Sequence, residues 1–162
     1  MLESQFVMRE ESLAAIQRII DGLVEDAGAR GVFVIDTIGQ SIAQAGALVG
    51  LDTTSLASLA AGCIAATEGL AQLLGEEEFP THFHQGERDS LHMTRVGARG
   101  ILIVVFDLQS SLGLVRLRVR KASAELATVF EDARKKSDSE GAGKSTAFSD
   151  ITNEEIDNLF PD

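Results

Sequence analysis

Residues 81–106 read THFHQGERDSLHMTRVGARGILIVVF, and the punctuation of this stretch decides the fold. Two turn-forming quartets, Gly86-Glu87-Arg88-Asp89 and Gly97-Ala98-Arg99-Gly100, cut it into three strand candidates. These are THFHQ, SLHMTRV and GILIVVFDL, the last running on to Leu108. Ile101 to Phe106 is unbroken apolar, which suits a central strand buried on both faces. Upstream, GVFVIDTIGQSIAQAG at 31–46 holds a β-rich run, a turn near Thr37 to Gly39 and a second strand ending at Gly46, which together read as a hairpin.

Between the hairpin and the three strands, residues 56–75 read LASLAAGCIAATEGLAQLLG, a helix candidate. Leu51-Asp52-Thr53-Thr54 supplies N-cap residues in front of it, and Gly75 is a natural C′ residue behind it. Arg9 to Ala27 carries Leu13, Ile16, Ile20, Leu23 and Val24 at spacings of three and four, an amphipathic helix stopped by Gly28 and Gly31. After the strands, residues 110–136 open ambiguously, with Leu117 and Val119 alternating with Arg116, Arg118 and Arg120. Over the whole length, Val115, Val119, Ala122, Leu126, Val129 and Phe130 fit helical spacing better. Residues 137–150 are small, polar and glycine-bearing, the composition of a flexible linker. In the final DITNEEIDNLFPD, Thr152 and Glu155 form a capping box that opens a short amphipathic helix over 151–160. It carries Ile151, Ile156, Leu159 and Phe160 and is closed by Pro161. The expected fold is α+β, in the order α-β-β-α-β-β-β-α, with a five-stranded antiparallel sheet, helices on both sides and a tethered terminal helix.

Composition narrows the function. A 162-residue chain that is 44% hydrophobic is long enough for one domain with a real core. A net charge of −11 opposes nucleic acid and anionic membranes as the main partner. The single cysteine, Cys63, excludes an internal disulfide framework and a cysteine-rich zinc site, and suits a reducing cytosol. The acidic MLESQFVMREESLAAIQ start lacks the basic, apolar plan of a secretory signal. No continuous apolar stretch approaches the roughly 20 residues of a transmembrane helix, so a soluble, cytoplasmic protein without membrane insertion is expected.

The 56–75 helix is short of charge, with Glu68 alone. Laid on a helical wheel, Leu56, Leu59, Cys63, Leu70 and Leu74 form one stripe, expected to face the core. Ala57, Ala61, Ala65 and Gly69 walk across the opposite side, Ser58, Gly62 and Ala66 widen it, Leu73 sits within it, and only Glu68 and Gln72 give it long polar side chains. Small residues also let a helix sit close to its own sheet. A small face about half the circumference wide exceeds that need, and glycine in a helix interior costs about 1 kcal/mol relative to alanine. Ala57, Ala61, Gly62, Ala65, Ala66, Gly69 and Gln72 are therefore expected to receive a second protein or a second copy.

Catalytic and metal patterns fail on inspection. Gly141-Ala142-Gly143-Lys144-Ser145-Thr146 imitates the end of a P-loop, but Asp138 stands where its first glycine belongs, and no strand precedes it. His82, His84 and His92 have no diagnostic ligand spacing, alone or with Cys63. Asp89-Ser90-Leu91-His92 has triad residue types, yet sequence neighbours on a strand point to opposite faces. Arg116, Arg118, Arg120 and Lys121 could bind an anion or an acidic partner, although such runs are more often solvated. No catalytic residue, cofactor or metal site is expected, and the chain reads as a binding module. A metal- or ligand-binding sensor using the histidines is the rival from another class.

DTTSLASL at 52–59, the EFP-x-x-FH-x-G run at Glu78 to Gly86 and SLGLVRLR at 111–118 occur together and in order. With the strand and helix order, they resemble the Roadblock family, in particular its bacterial branch that partners a Ras-like GTPase in cell polarity and gliding motility. The likeness covers Val7 to about Lys136 and extends to the terminal segment. It implies a Roadblock domain over 7–136 and a homodimer whose sheets join edge to edge through Thr81, His82, Phe83, His84 and Gln85. The long second helices of the two copies then lie side by side. It further implies that one dimer binds one GTP-loaded GTPase and accelerates hydrolysis without inserting an arginine, by pressing the GTPase's own catalytic residues into place. The terminal helix is implied to touch the GTPase elsewhere and to affect nucleotide exchange, and the protein to be cytoplasmic and clustered at a cell pole. A Roadblock dimer that only scaffolds a complex is the alternative within the family.

Overall fold

The computed structural model describes residues 8–149, with backbone alone described for 141–149. The terminal helix expected over 151–160, with Ile151, Ile156, Leu159 and Phe160, lies outside the described residues. Eight elements follow in order: α1 (Glu10–Ala27), β1 (Gly31–Asp36), β2 (Ser41–Gly46), α2 (Thr53–Leu74), β3 (Thr81–Gln85), β4 (Ser90–Val96), β5 (Gly100–Phe106) and α3 (Leu112–Ser149).

Local chemistry explains the boundaries. Glu10 and Glu11 place negative charge in the first turn of α1, where the helix dipole favours it. Gly28, at φ +60°, ends α1 in the left-handed conformation. Asp36 Oδ1 accepts hydrogen bonds from the Ile38 and Gln40 amides, which closes the β1–β2 turn. Asp52 caps α2 by accepting from the Ser55 amide at 3.1 Å and from its hydroxyl at 2.6 Å. Those bonds hold its carboxyl below the usual range. Gly75, at φ +77°, closes α2. Ser111 Oγ accepts from the Leu114 amide at the start of α3.

The strands form one antiparallel sheet in the order β2-β1-β5-β4-β3. β5 lies at its centre and is buried at every position. Alternation divides the side chains between two cores. Val32, Val34, Val96, Leu102, Val104 and Phe106 point to α1 and α3, meeting Ile16, Ile20, Leu23, Val119 and Leu126. Phe33, Ile35, Met93, Ile101, Ile103 and Val105 point to α2. At the far end a Cβ on Gly100 would lie 3.1 Å from the Phe130 ring, so glycine there lets α3 close over the sheet.

Two expectations change. The composition-based linker at 137–150 is instead helical through Ser149, as a continuation of α3. No proline interrupts the run, and Lys136–Glu11 and Arg9–Glu140 ion pairs tie α3 to the start of α1. The P-loop imitation at 141–146 thus belongs to a helix rather than a phosphate-binding loop.

The second change is the orientation of α2. Its buried residues are Ala57, Ala60, Ala61, Ile64 and Ala71, whereas Leu59, Leu70, Leu73 and Leu74 face outward. Of the stripe expected in the core, only Leu56 and Cys63 are partly buried. Volume complementarity is the reason. The sheet face beneath is already filled by Phe33, Ile35, Met93, Ile101 and Ile103, so a closely packed helix can offer only small side chains. Among the described residues α2 is also long and apolar enough, by length and composition, to cross a membrane, a property not apparent from any continuous apolar run. Here one of its faces is packed on the sheet.

Candidate functional site

The outward face of α2 carries Ser58, Leu59, Gly62, Ala65, Ala66, Gly69, Leu70, Gln72, Leu73 and Leu74, all exposed and none charged. Glu68, the helix's lone charge, turns toward the sheet and pairs with Arg95 of β4 at 2.5 Å. Arg95 also reaches Glu78 at 3.5 Å. The helix's one charged side chain is therefore spent inside the chain, which leaves Ser58 and Gln72 as the polar side chains of this face.

Of the site residues expected on α2, Gly62, Ala65, Ala66, Gly69 and Gln72 are on this face. Ala57 and Ala61 are not. They are buried against the sheet and the β1–β2 turn, where a Cβ on Gly39 would meet the Ala61 Cβ at 3.5 Å. A Cβ on Gly62 or Gly69 would meet nothing within 4 Å, so nothing in the single chain needs glycine there. The leucines at 59, 70 and 74, expected in the core, are what sequence reasoning missed, whereas Leu73 is outward as its place on the wheel implied. The signal that could have found them was the row of large residues on alternate positions of β1 and β5.

Strand β3 lies beside this face. Among the described residues it pairs with β4 alone, in the register Thr81↔Thr94, His82↔Met93, Phe83↔His92, His84↔Leu91, Gln85↔Ser90, and no described strand lies on its other edge. Cys63 Sγ lies 3.9 Å from His84 Nε2, which sets that flank of α2 over β3. Leu59 and Leu70, four before and seven after Cys63, share its row on the helix. The leucine flank and the open strand edge thus form one continuous surface. At its end a cleft of about 400 Å³ has Leu51, Leu56, Leu91 and Val105 as apolar lining and His84 and the Arg30–Asp89 pair as its polar part.

The three histidines separate. His82 and His84 lie on the α2 side, opposite Met93 and Leu91, whereas His92 points toward α3. Burial holds the His82 imidazole below its ordinary value. His92 is lowered by burial first, then by Arg116 and His82, and its Nδ1 has no hydrogen-bond partner among the described residues. Among the described residues no group of three or more His, Cys, Asp or Glu side chains is placed to hold a metal. The Asp89 carboxylate pairs through Oδ2 with Arg30 at 2.8 Å.

Comparison with known proteins follows the same lines. A Roadblock/LC7 domain matches residues 15–106. The chain belongs to the Roadblock/LC7 family. Within it the chain resembles solved structures of MglB. Myxococcus xanthus MglB is 54% identical, with a TM-score of 0.75, over 78% of this chain and 96% of that one. The gliding protein MglB of Thermus thermophilus is 34% identical at a TM-score of 0.75, covering 81% and 99%. An MglB solved in a tetrameric arrangement is 33% identical at 0.77, covering 82% and 99%. No curated protein gives a significant match.

Proposed function

We propose that this Roadblock protein is a non-catalytic activator of an MglA-type Ras-like GTPase in bacterial cell polarity and gliding motility, acting as a homodimer. The observation that carries the reading is the uncharged outer face of α2 running into the open edge of β3. An exposed face without charge is a surface in want of a partner. The orientation of α2 also suggests how two occupants divide it. The leucine flank with Leu59 and Leu70, beside Thr81 to Gln85, goes to the second copy, so that a two-fold axis joins the β3 edges and sets the α2 helices side by side. The flatter flank of Gly62, Ala65, Ala66, Gly69 and Gln72 remains open on each copy and forms a shallow platform for one GTP-bound GTPase per dimer.

Activation is then positional. Phosphoryl transfer responds to orientation and charge placement more than to covalent chemistry, so holding the GTPase's own arginine and glutamine at the γ-phosphate is sufficient. The terminal segment with Ile151, Ile156, Leu159 and Phe160 is proposed to reach the GTPase away from this platform and to assist exchange. The protein is proposed to work in the cytoplasm, clustered at a cell pole.

Single-turnover GTP hydrolysis by an MglA-type protein, with and without this chain, tests the reading. Acceleration that disappears with Ala65→Arg or Gly69→Arg is expected. Binding without acceleration would establish the scaffold instead.

A further inference from the structure

On the opposite layer, the first turns of α3 present Arg116, Arg118, Arg120 and Lys121, all exposed, around Leu117, which is 60% exposed. Among the described residues none of these four makes an ion pair, although the chain carries 25 acids against 14 lysines and arginines. They stand in the second and third turns of α3, whose first turn holds no acidic residue beside them. Cations left unpaired there in an acidic chain point to an external acidic ligand with an apolar contact for Leu117.

We infer that the basic start of α3 docks the acidic terminal segment, residues 150–162, of a second copy of this chain. DITNEEIDNLFPD offers Asp150, Glu154, Glu155, Asp157 and Asp162 without a single lysine or arginine, and interleaves Ile156, Leu159 and Phe160. That composition complements four cations and a leucine. Reach selects the second copy. From Arg116 to Ser149, α3 advances about 50 Å at 1.5 Å per residue. The remaining chain spans at most about 45 Å when fully extended, so a segment starting at the far end of α3 cannot return to Arg116 of its own helix. The site lies across the sheet from α2, so it links dimers without competing for the platform. A GTPase that takes the same segment releases it.

The test is sedimentation velocity of the full chain over a range of concentrations, at low salt and at about 0.5 M, where screening acts within a few ångströms. Association beyond the dimer is expected to weaken about tenfold with Arg118→Glu/Lys121→Glu, and equally with Glu155→Lys/Asp157→Lys. Arg118 and Lys121 are exposed and make no ion pair among the described residues, so these changes leave folding within about 0.5 kcal/mol. Combining all four substitutions in one chain restores association, because the charges are exchanged. Failure of that rescue overturns the proposal. Unchanged association in the α3 variant, or contact between segment and helix that is independent of concentration and therefore intramolecular, does so equally.

Discussion

Leu59→Ala separates the observed orientation of α2 from the one that hydropathy suggests. With Leu59 in the core, the truncation would cost the fold about 2–5 kcal/mol. In the structure Leu59 is 74% exposed, so the single chain has little to lose, and the change falls within about 0.5 kcal/mol. In the proposed dimer the penalty falls on association instead. Leucine to alanine removes about three carbons, each contributing about 0.8 kcal/mol when taken out of water. Scaled by the fraction still exposed, this is about 2 kcal/mol per copy. A two-fold interface contains the residue twice, so the dimer loses about 4 kcal/mol, close to a thousandfold in Kd. Sedimentation equilibrium measures the second quantity and urea unfolding of the dilute monomer the first. A Kd within about threefold of the parent, or a monomer destabilised by more than about 1 kcal/mol, refutes the assignment of this flank.

Ala61→Arg and Ala65→Arg, one turn apart, should diverge in urea unfolding. Ala61 is 6% exposed against the sheet and loses about 3 kcal/mol or more, whereas Ala65 on the outer face stays within about 0.5 kcal/mol and loses GTPase binding instead. Acid should destabilise the fold through His92. Its folded pKa lies below the ordinary 6.5, so the unfolded chain takes up a proton that the folded chain refuses. Stability is then fully present above that value and declines as pH falls below it, by at most about 1.4 kcal/mol per pH unit for this one group. His82 is lowered too and adds to the slope, and His92→Gln should flatten thermal melts between pH 5 and 7 by its share, an equal slope in both proteins counting against the assignment. Removal of residues 147–162 should leave a folded dimer with altered GTPase coupling, read by nucleotide-exchange and binding assays, and unchanged values in both would remove the terminal segment from the mechanism.

The sheet was legible because its signals are local. Gly86–Asp89 and Gly97–Gly100 mark turns wherever they occur, and the apolar run Ile101–Phe106 suits only a central strand. Both ends of α2 were legible for the same reason, since Asp52 and Gly75 act within one turn. Which face of α2 is buried was not. Hydropathy ranks leucine above alanine for the interior, but the choice depended on the space left by Phe33, Ile35 and Ile103, which lie far away in sequence. The same gap hid the fate of Glu68, because its pairing with Arg95 needs the register of α2 over β4. The separation of His92 from His82 and His84 follows from strand alternation once the β3–β4 register is known, and that register is a tertiary fact.

Turning the leucines of α2 outward leaves a freshly made single chain with a sticky flank for as long as no partner covers it. Two features of the composition act against indiscriminate clumping in that interval. The surplus of negative charge, −11 overall, keeps like molecules apart at long range. Glu76, Glu77 and Glu78, exposed directly after Leu73 and Leu74, stand as gatekeepers at the end of the apolar flank, where a wrongly docked chain would have to desolvate carboxylates. The acidity of this protein is then a colloidal safeguard for its most adhesive helix.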